Sequence, residues 1–80
     1  MRARVYITLK PGVHDPAGRA VVGALGQLGY DEVQDVRIGK FIELEVADGE
    51  PEAVRARVES MCRQLLANTV IENFRVELLG

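Results

Sequence analysis

The spacing of apolar residues constrains this chain most: it runs with a period of two, then three to four, then two over a longer stretch, then three to four, then two again. That succession is the mark of strands and helices taking turns along one chain. From Arg4 to Leu9, Val5, Ile7 and Leu9 alternate with Arg4, Tyr6 and Thr8, which predicts a half-buried strand. Lys10, Pro11 and Gly12 form a turn, and Asp15 followed by Pro16 is a helix N-cap with proline in the first helical position. Ala17, Ala20, Val21, Ala24, Leu25 and Leu28 then make one apolar stripe, and Gly29 ends the helix. Gly18, Gly23 and Gly26 inside it each cost about 0.5–1 kcal/mol relative to alanine, so close packing on a sheet or a partner is expected to offset them.

Val33–Ile38 and Ile42–Val46 read as two strands around Gly39, Lys40 and Phe41. Facing residues share a side of a sheet, so a hairpin would set Ile38 opposite Ile42 and Val36 opposite Leu44, closed by a three-residue loop. Asp48 to Pro51 break the pattern and start a second helix, in which Val54, Val58, Met61, Cys62 and Leu65 recur at helical spacing up to Asn68. A last strand from Ile71 to Leu79 turns Phe74, Val76 and Leu78 inward.

Strand, helix, strand, strand, helix, strand is the order of the α+β ferredoxin-like βαββαβ sandwich, a four-stranded antiparallel sheet with two helices on one face. The 80 residues allow one domain, because a core needs roughly 50 residues or more around it. A chain this short gains stability by associating, so a homo-oligomer is expected. The uncovered sheet face would carry Tyr6, Thr8, Arg37, Glu43, Glu45, Arg75 and Glu77, flanked by Phe41 and Leu79. That face and the strand edges are the natural places for a partner.

Ten basic and twelve acidic residues leave a net charge of −2, too balanced for the dense positive field that phosphate backbones demand, so no nucleic acid is expected. The single cysteine, Cys62, can form no intramolecular disulfide, and the short, charge-broken apolar runs give no membrane or export signal. A cytoplasmic setting follows as the expectation. Catalysis would need convergent groups: His14 is the lone histidine and lies in a loop, Cys62 falls in an apolar stripe, and Glu43 and Glu45 sit on an exposed strand face. No catalytic residue, metal site or bound cofactor is predicted. Two glycine-containing segments, Lys10-Pro11-Gly12 and Arg37-Ile38-Gly39-Lys40, could present backbone N–H groups and a cation to an anion, although each also reads simply as a turn.

Taken together, Leu9-Lys10-Pro11-Gly12-Val13 with Asp15-Pro16, Val36 to Lys40, Ile42-Glu43-Leu44, Leu65 to Asn68 and Val70-Ile71-Glu72 resemble the PurS family from Val5 to Val76. The chain departs from the family pattern at His14, Ala17 and Thr69, all at loops or element boundaries. The resemblance implies an accessory subunit of phosphoribosylformylglycinamidine synthase. A glutaminase, PurQ, releases ammonia, a synthetase, PurL, uses ATP and Mg to activate the substrate amide, and a PurS dimer or dimer of dimers holds them together and assists ammonia transfer. Lys10, Pro11, Gly12, Arg37, Gly39 and Lys40 are the expected partner contacts, since cations in turns can meet partner carboxylates. The alternative reading is a ferredoxin-like module that senses a small molecule between protomers.

Overall fold

The strictest alternation in the chain becomes its central strand. In the computed structural model, which describes residues 1–80, β1 spans Arg2–Leu9 and lies between β2 (Lys40–Glu45) and β3 (Glu72–Leu79), antiparallel to both. Between β1 and β2, at Pro16–Gln27, comes helix α1; between β2 and β3, at Pro51–Met61, comes α2. The class is therefore α+β, with two helices and a three-stranded antiparallel sheet. No helix is long and apolar enough to cross a membrane.

Register follows from burial. Ala3 faces Leu44 and Leu78, and Val5 faces Ile42 and Val76, so these two rows of β1 meet apolar residues on both neighbours, while Ile7 meets Phe74 on β3 and Lys40 on β2. Over these rows α2 lays Val58 and Cys62, closing a core of Ala3, Val5, Ile7, Val58, Cys62, Ala67 and Val76. Each fully buried valine or isoleucine there contributes roughly 1.5–3 kcal/mol.

Residues Cys62–Leu66 wind more widely than an α-helix, with the Ala67 N–H donating to the Cys62 carbonyl at 2.9 Å. This π-turn adds about one residue to the last turn and shifts the phase of the apolar stripe. Leu66, not the expected Leu65, turns towards the core, and Leu65 is left 83% exposed.

Two expectations fail. Residues Val33–Ile38 form no strand, so the sheet has three strands rather than four, and the hairpin with its Gly39-Lys40-Phe41 loop is absent. Lys40 and Phe41 instead belong to β2, opposite Ile7 and Tyr6. The segment before them carries on along the line of β2 past the end of β1: Gly39 lies against Ile7 and Thr8, and Arg37 against Lys10 and Val13. A local pattern specifies that a segment can be a strand, not which edge it pairs with.

Nor do both helices cover the sheet. The elements packed on one another are the three strands, α2 and the π-turn, and α1 is not among them. Its expected apolar stripe faces solvent, with Val21 38% and Leu28 73% exposed. The radius of gyration, 16.0 Å, exceeds the about 12 Å of a compact chain this long, and the molecule measures 49 × 26 × 14 Å.

Candidate partner-contact site

The two glycine-containing segments meet at the end of β1. Leaving that strand, the chain turns at Lys10-Pro11-Gly12-Val13, where the Val13 N–H donates to the Lys10 carbonyl at 3.1 Å and Gly12 takes φ +84°. Proline second and a positive-φ glycine third make a type II turn, for which glycine is the favoured residue. The Lys10 N–H donates to the Ile71 carbonyl at 2.8 Å and ties the turn to the start of β3.

Arg37 crosses to the same turn. Its Nη1 donates to the Val13 carbonyl at 2.9 Å and its Nη2 to the Lys10 carbonyl at 3.1 Å, so its planar fork grips the backbone. Asp15 fixes the other side. One carboxylate oxygen accepts from the Gly18 N–H at 2.9 Å, capping α1, and the other accepts from the Ile38 N–H at 2.8 Å. These two backbone donors, Ile38 first, hold the buried Asp15 carboxyl below its usual range, with the Arg37 charge adding to the effect.

Both neighbouring glycines are required by close approach. A Cβ on Gly18 would stand within 3.0 Å of the Val36 carbonyl oxygen, and one on Gly39 would collide with the Ile7 carbonyl. Gly39 is thus not a turn residue, and the Arg37-Ile38-Gly39-Lys40 segment is not a turn. Of the three predicted cations, Arg37 is occupied within the chain, Lys40 pairs with Glu72 at 3.6 Å across the end of β1, and Lys10 makes no ion pair. His14 is exposed in the same loop.

Sequence reasoning recognised Asp15 as a cap but missed its second bond to Ile38, because only the fold brings positions so far apart together. It also placed Arg37 on the open sheet face, where the structure does not. That face carries rows of Glu45, Arg2 and Leu79, of Glu43, Arg4 and Glu77, and of Phe41, Tyr6 and Arg75. Arg2 pairs with Glu45 at 2.8 Å, Arg4 lies 3.2 Å from Glu43 and 3.6 Å from Glu77, and Arg75 stacks 4.2 Å over the Tyr6 ring. The Tyr6 and Phe41 rings stand 5.2 Å apart.

No three His, Cys, Asp or Glu side chains converge as metal ligands, and Cys62 is buried, its thiol pushed up by desolvation. A small α+β body with an ordered open sheet face, a braced cationic loop and an outlying helix defines an association module. Residues 2–80 match the family model described as PurS, phosphoribosylformylglycinamidine (FGAM) synthase, and the chain belongs to that family. It is 53% identical over 75 residues to the FGAM synthase subunit PurS of Synechocystis, covering 94% of this chain and 75% of that one. The solved PurS of Bacillus subtilis superposes with a TM-score of 0.85 at 49% identity, covering 95% of this chain and 94% of the other. A chain of the PurLQS structure from Thermotoga maritima gives 0.88 at 29% identity, covering 98% and 95%.

Proposed function

We propose that this chain is the small accessory subunit of an FGAM synthase in purine biosynthesis, joining a PurQ-like glutaminase to a PurL-like synthetase without an active site of its own. The supporting observation is its fit, over 98% of its length, to a chain of the Thermotoga maritima PurLQS structure. Ammonia released in bulk water is protonated and lost as a nucleophile, so a subunit that holds the two larger chains together serves transfer between them. ATP and Mg belong, in this reading, to the synthetase, and the assembly works in the cytoplasm.

Lys10 and Lys40, with Pro11, Gly12 and Gly39 around them, form the contact surface, and Arg37 keeps the loop in shape. The chain acts as a homodimer or dimer of dimers, and the four-stranded ferredoxin-like arrangement is reached only on that self-association.

The test is amidine synthesis by the two larger subunits with and without this chain, fed glutamine or ammonia. A requirement for the chain in the glutamine-driven reaction alone is the expected result. Equal rates without it under both nitrogen sources would refute the proposal.

A further inference from the structure

The register of β3 tells which of its backbone groups face outward. Beyond the strand's start the Lys10 N–H bonds the Ile71 carbonyl, so β1 bonds the odd-numbered residues of β3, Asn73, Arg75, Glu77 and Leu79. The N–H and C=O groups of Glu72, Phe74, Val76 and Leu78 therefore point away from β1, where no further strand lies. β3 is eight residues long, contains no proline, and carries Phe74, Val76 and Leu78 towards the core. An edge of that kind is a template for pairing with another chain.

Two of its outward groups are already taken. The Glu72 N–H donates to the Asn68 carbonyl at 2.7 Å, which closes the start of the edge. At the middle, Arg55 of α2 donates from Nη1 to the Val76 carbonyl at 2.8 Å, the one hydrogen bond that a side chain donates to the backbone of a strand. Glu52 and Glu59 stand three residues before and four after Arg55, the spacings at which helix neighbours pair. Arg55 pairs with neither and reaches across to β3. Further along, Arg63 stands 5.8 Å over the Phe74 ring and 4.0 Å from Glu59, so charge lies beside the apolar side chains of β3 as well.

A strand arriving at this edge would have to set an N–H at the Val76 carbonyl, where the guanidinium sits. Arg55 would then lose its acceptor and be left at the seam with its charge and its several N–H donors poorly solvated. A second copy fares worst. A two-fold axis that pairs two β3 edges about Val76 brings the two Arg55 side chains together, like charge against like.

We infer that Arg55 is an edge guard: held on the Val76 carbonyl, it keeps β3 from pairing with the β3 of a second copy. Charged side chains laid on an edge are one of the ways in which sheets avoid running on from molecule to molecule. The guard acts on this edge alone, so it holds whichever oligomer the chain forms through its other surfaces. A second self-pairing edge on a chain that already associates would let assembly continue from copy to copy, and Arg55 removes that route.

The experiment compares the wild type with Arg55→Met, which keeps the aliphatic stem, and Arg55→Lys, which keeps a cation, by sedimentation across a range of concentrations and by amide exchange. Arg55→Met is expected to form species larger than the wild type, with association tighter by about tenfold or more, the scale of a hydrogen bond from a charged group. In those species exchange should slow at Phe74, Val76 and Leu78 and stay as it was at Asn73, Arg75 and Glu77, which β1 already protects. Arg55→Lys should keep the wild-type mass. A folded Arg55→Met chain with the wild-type mass at every concentration overturns the inference, as does a larger species that leaves those three amides open. Arg55→Lys associating as strongly as Arg55→Met also overturns it. The wild type gives a check that needs no variant: exchange at Phe74, Val76 and Leu78 should not depend on concentration, and slowing at high concentration would show that the edge is unguarded.

Discussion

Three glycines of one helix should respond to alanine with opposite signs. In a helix interior alanine is favoured over glycine by about 0.5–1 kcal/mol, because glycine loses more backbone freedom on folding. At Gly23 and Gly26 an added Cβ meets nothing within 4 Å, so that preference should appear undiminished. At Gly18 the Cβ would press on the Val36 carbonyl, which is backbone, and stand 2.8 Å from Asp15 Oδ2, the carboxylate oxygen that accepts from the Ile38 N–H. Overpacking of this kind costs about 1–3 kcal/mol, which leaves Gly18→Ala destabilising by about 0.5–2 kcal/mol once the helix preference is subtracted. Because α1 packs on its own return segment rather than on the sheet, the sensitive readout is amide exchange within α1, which reports local opening. At about 1.4 kcal/mol per tenfold, Gly18→Ala should speed that exchange roughly 2- to 30-fold and Gly23→Ala slow it roughly 2- to 5-fold. Exchange slowed by Gly18→Ala would refute the reasoning, since it would mean that the helix does not approach Val36 closely.

Asp15 has a folded pKa below its unfolded value, so its contribution is complete above the unfolded pKa of about 3.9 and is lost as pH falls through the lower, folded value. Exchange at Ile38 and Gly18, corrected for intrinsic rates, should be flat at neutral pH and rise in acid below that point, and Asp15→Asn should abolish the rise. Cys62 is fully buried with its thiol pushed up, so iodoacetamide should modify it only on the timescale of unfolding; rapid labelling of the folded chain would contradict the core. Lys10 uses its backbone but no ion pair, so Lys10→Ala should change stability by less than about 0.5 kcal/mol while weakening assembly with the two larger subunits, measured by co-elution.

The elements whose partners are local were legible in the sequence. The alternation of β1 and β3 and the proline-marked starts of α1 and α2 needed no knowledge of the rest of the chain. Residues 33–38 were misplaced because strand propensity is local and strand pairing is not: Val36 and Ile38 carry the right pattern, but no strand of this chain pairs with them. Around the loop at the end of β1, the sequence named residues that the fold brings together but not what they do there. Lys10, Gly12, Arg37, Gly39 and Lys40 do converge, yet no spacing rule could say that Arg37 grips two carbonyls or that Gly39 makes room for Ile7. Nor could it anticipate that an i to i+5 turn after Met61 would exchange Leu65 for Leu66.

The open sheet face has a kinetic consequence. Arg2, Arg4 and Arg75 alternate across the strands with Glu43, Glu45 and Glu77, and the opposite signs lie within ion-pair distance for Arg2 and Arg4. From beyond a Debye length of about 8 Å such a mosaic cancels itself, so it projects almost no field into solution. A large subunit approaching this face would be neither drawn in nor turned by long-range attraction, and its capture rate would vary little with ionic strength. The mosaic acts only at contact, where a partner would have to present the opposite sign in register, so such a face would recruit slowly and discriminate closely.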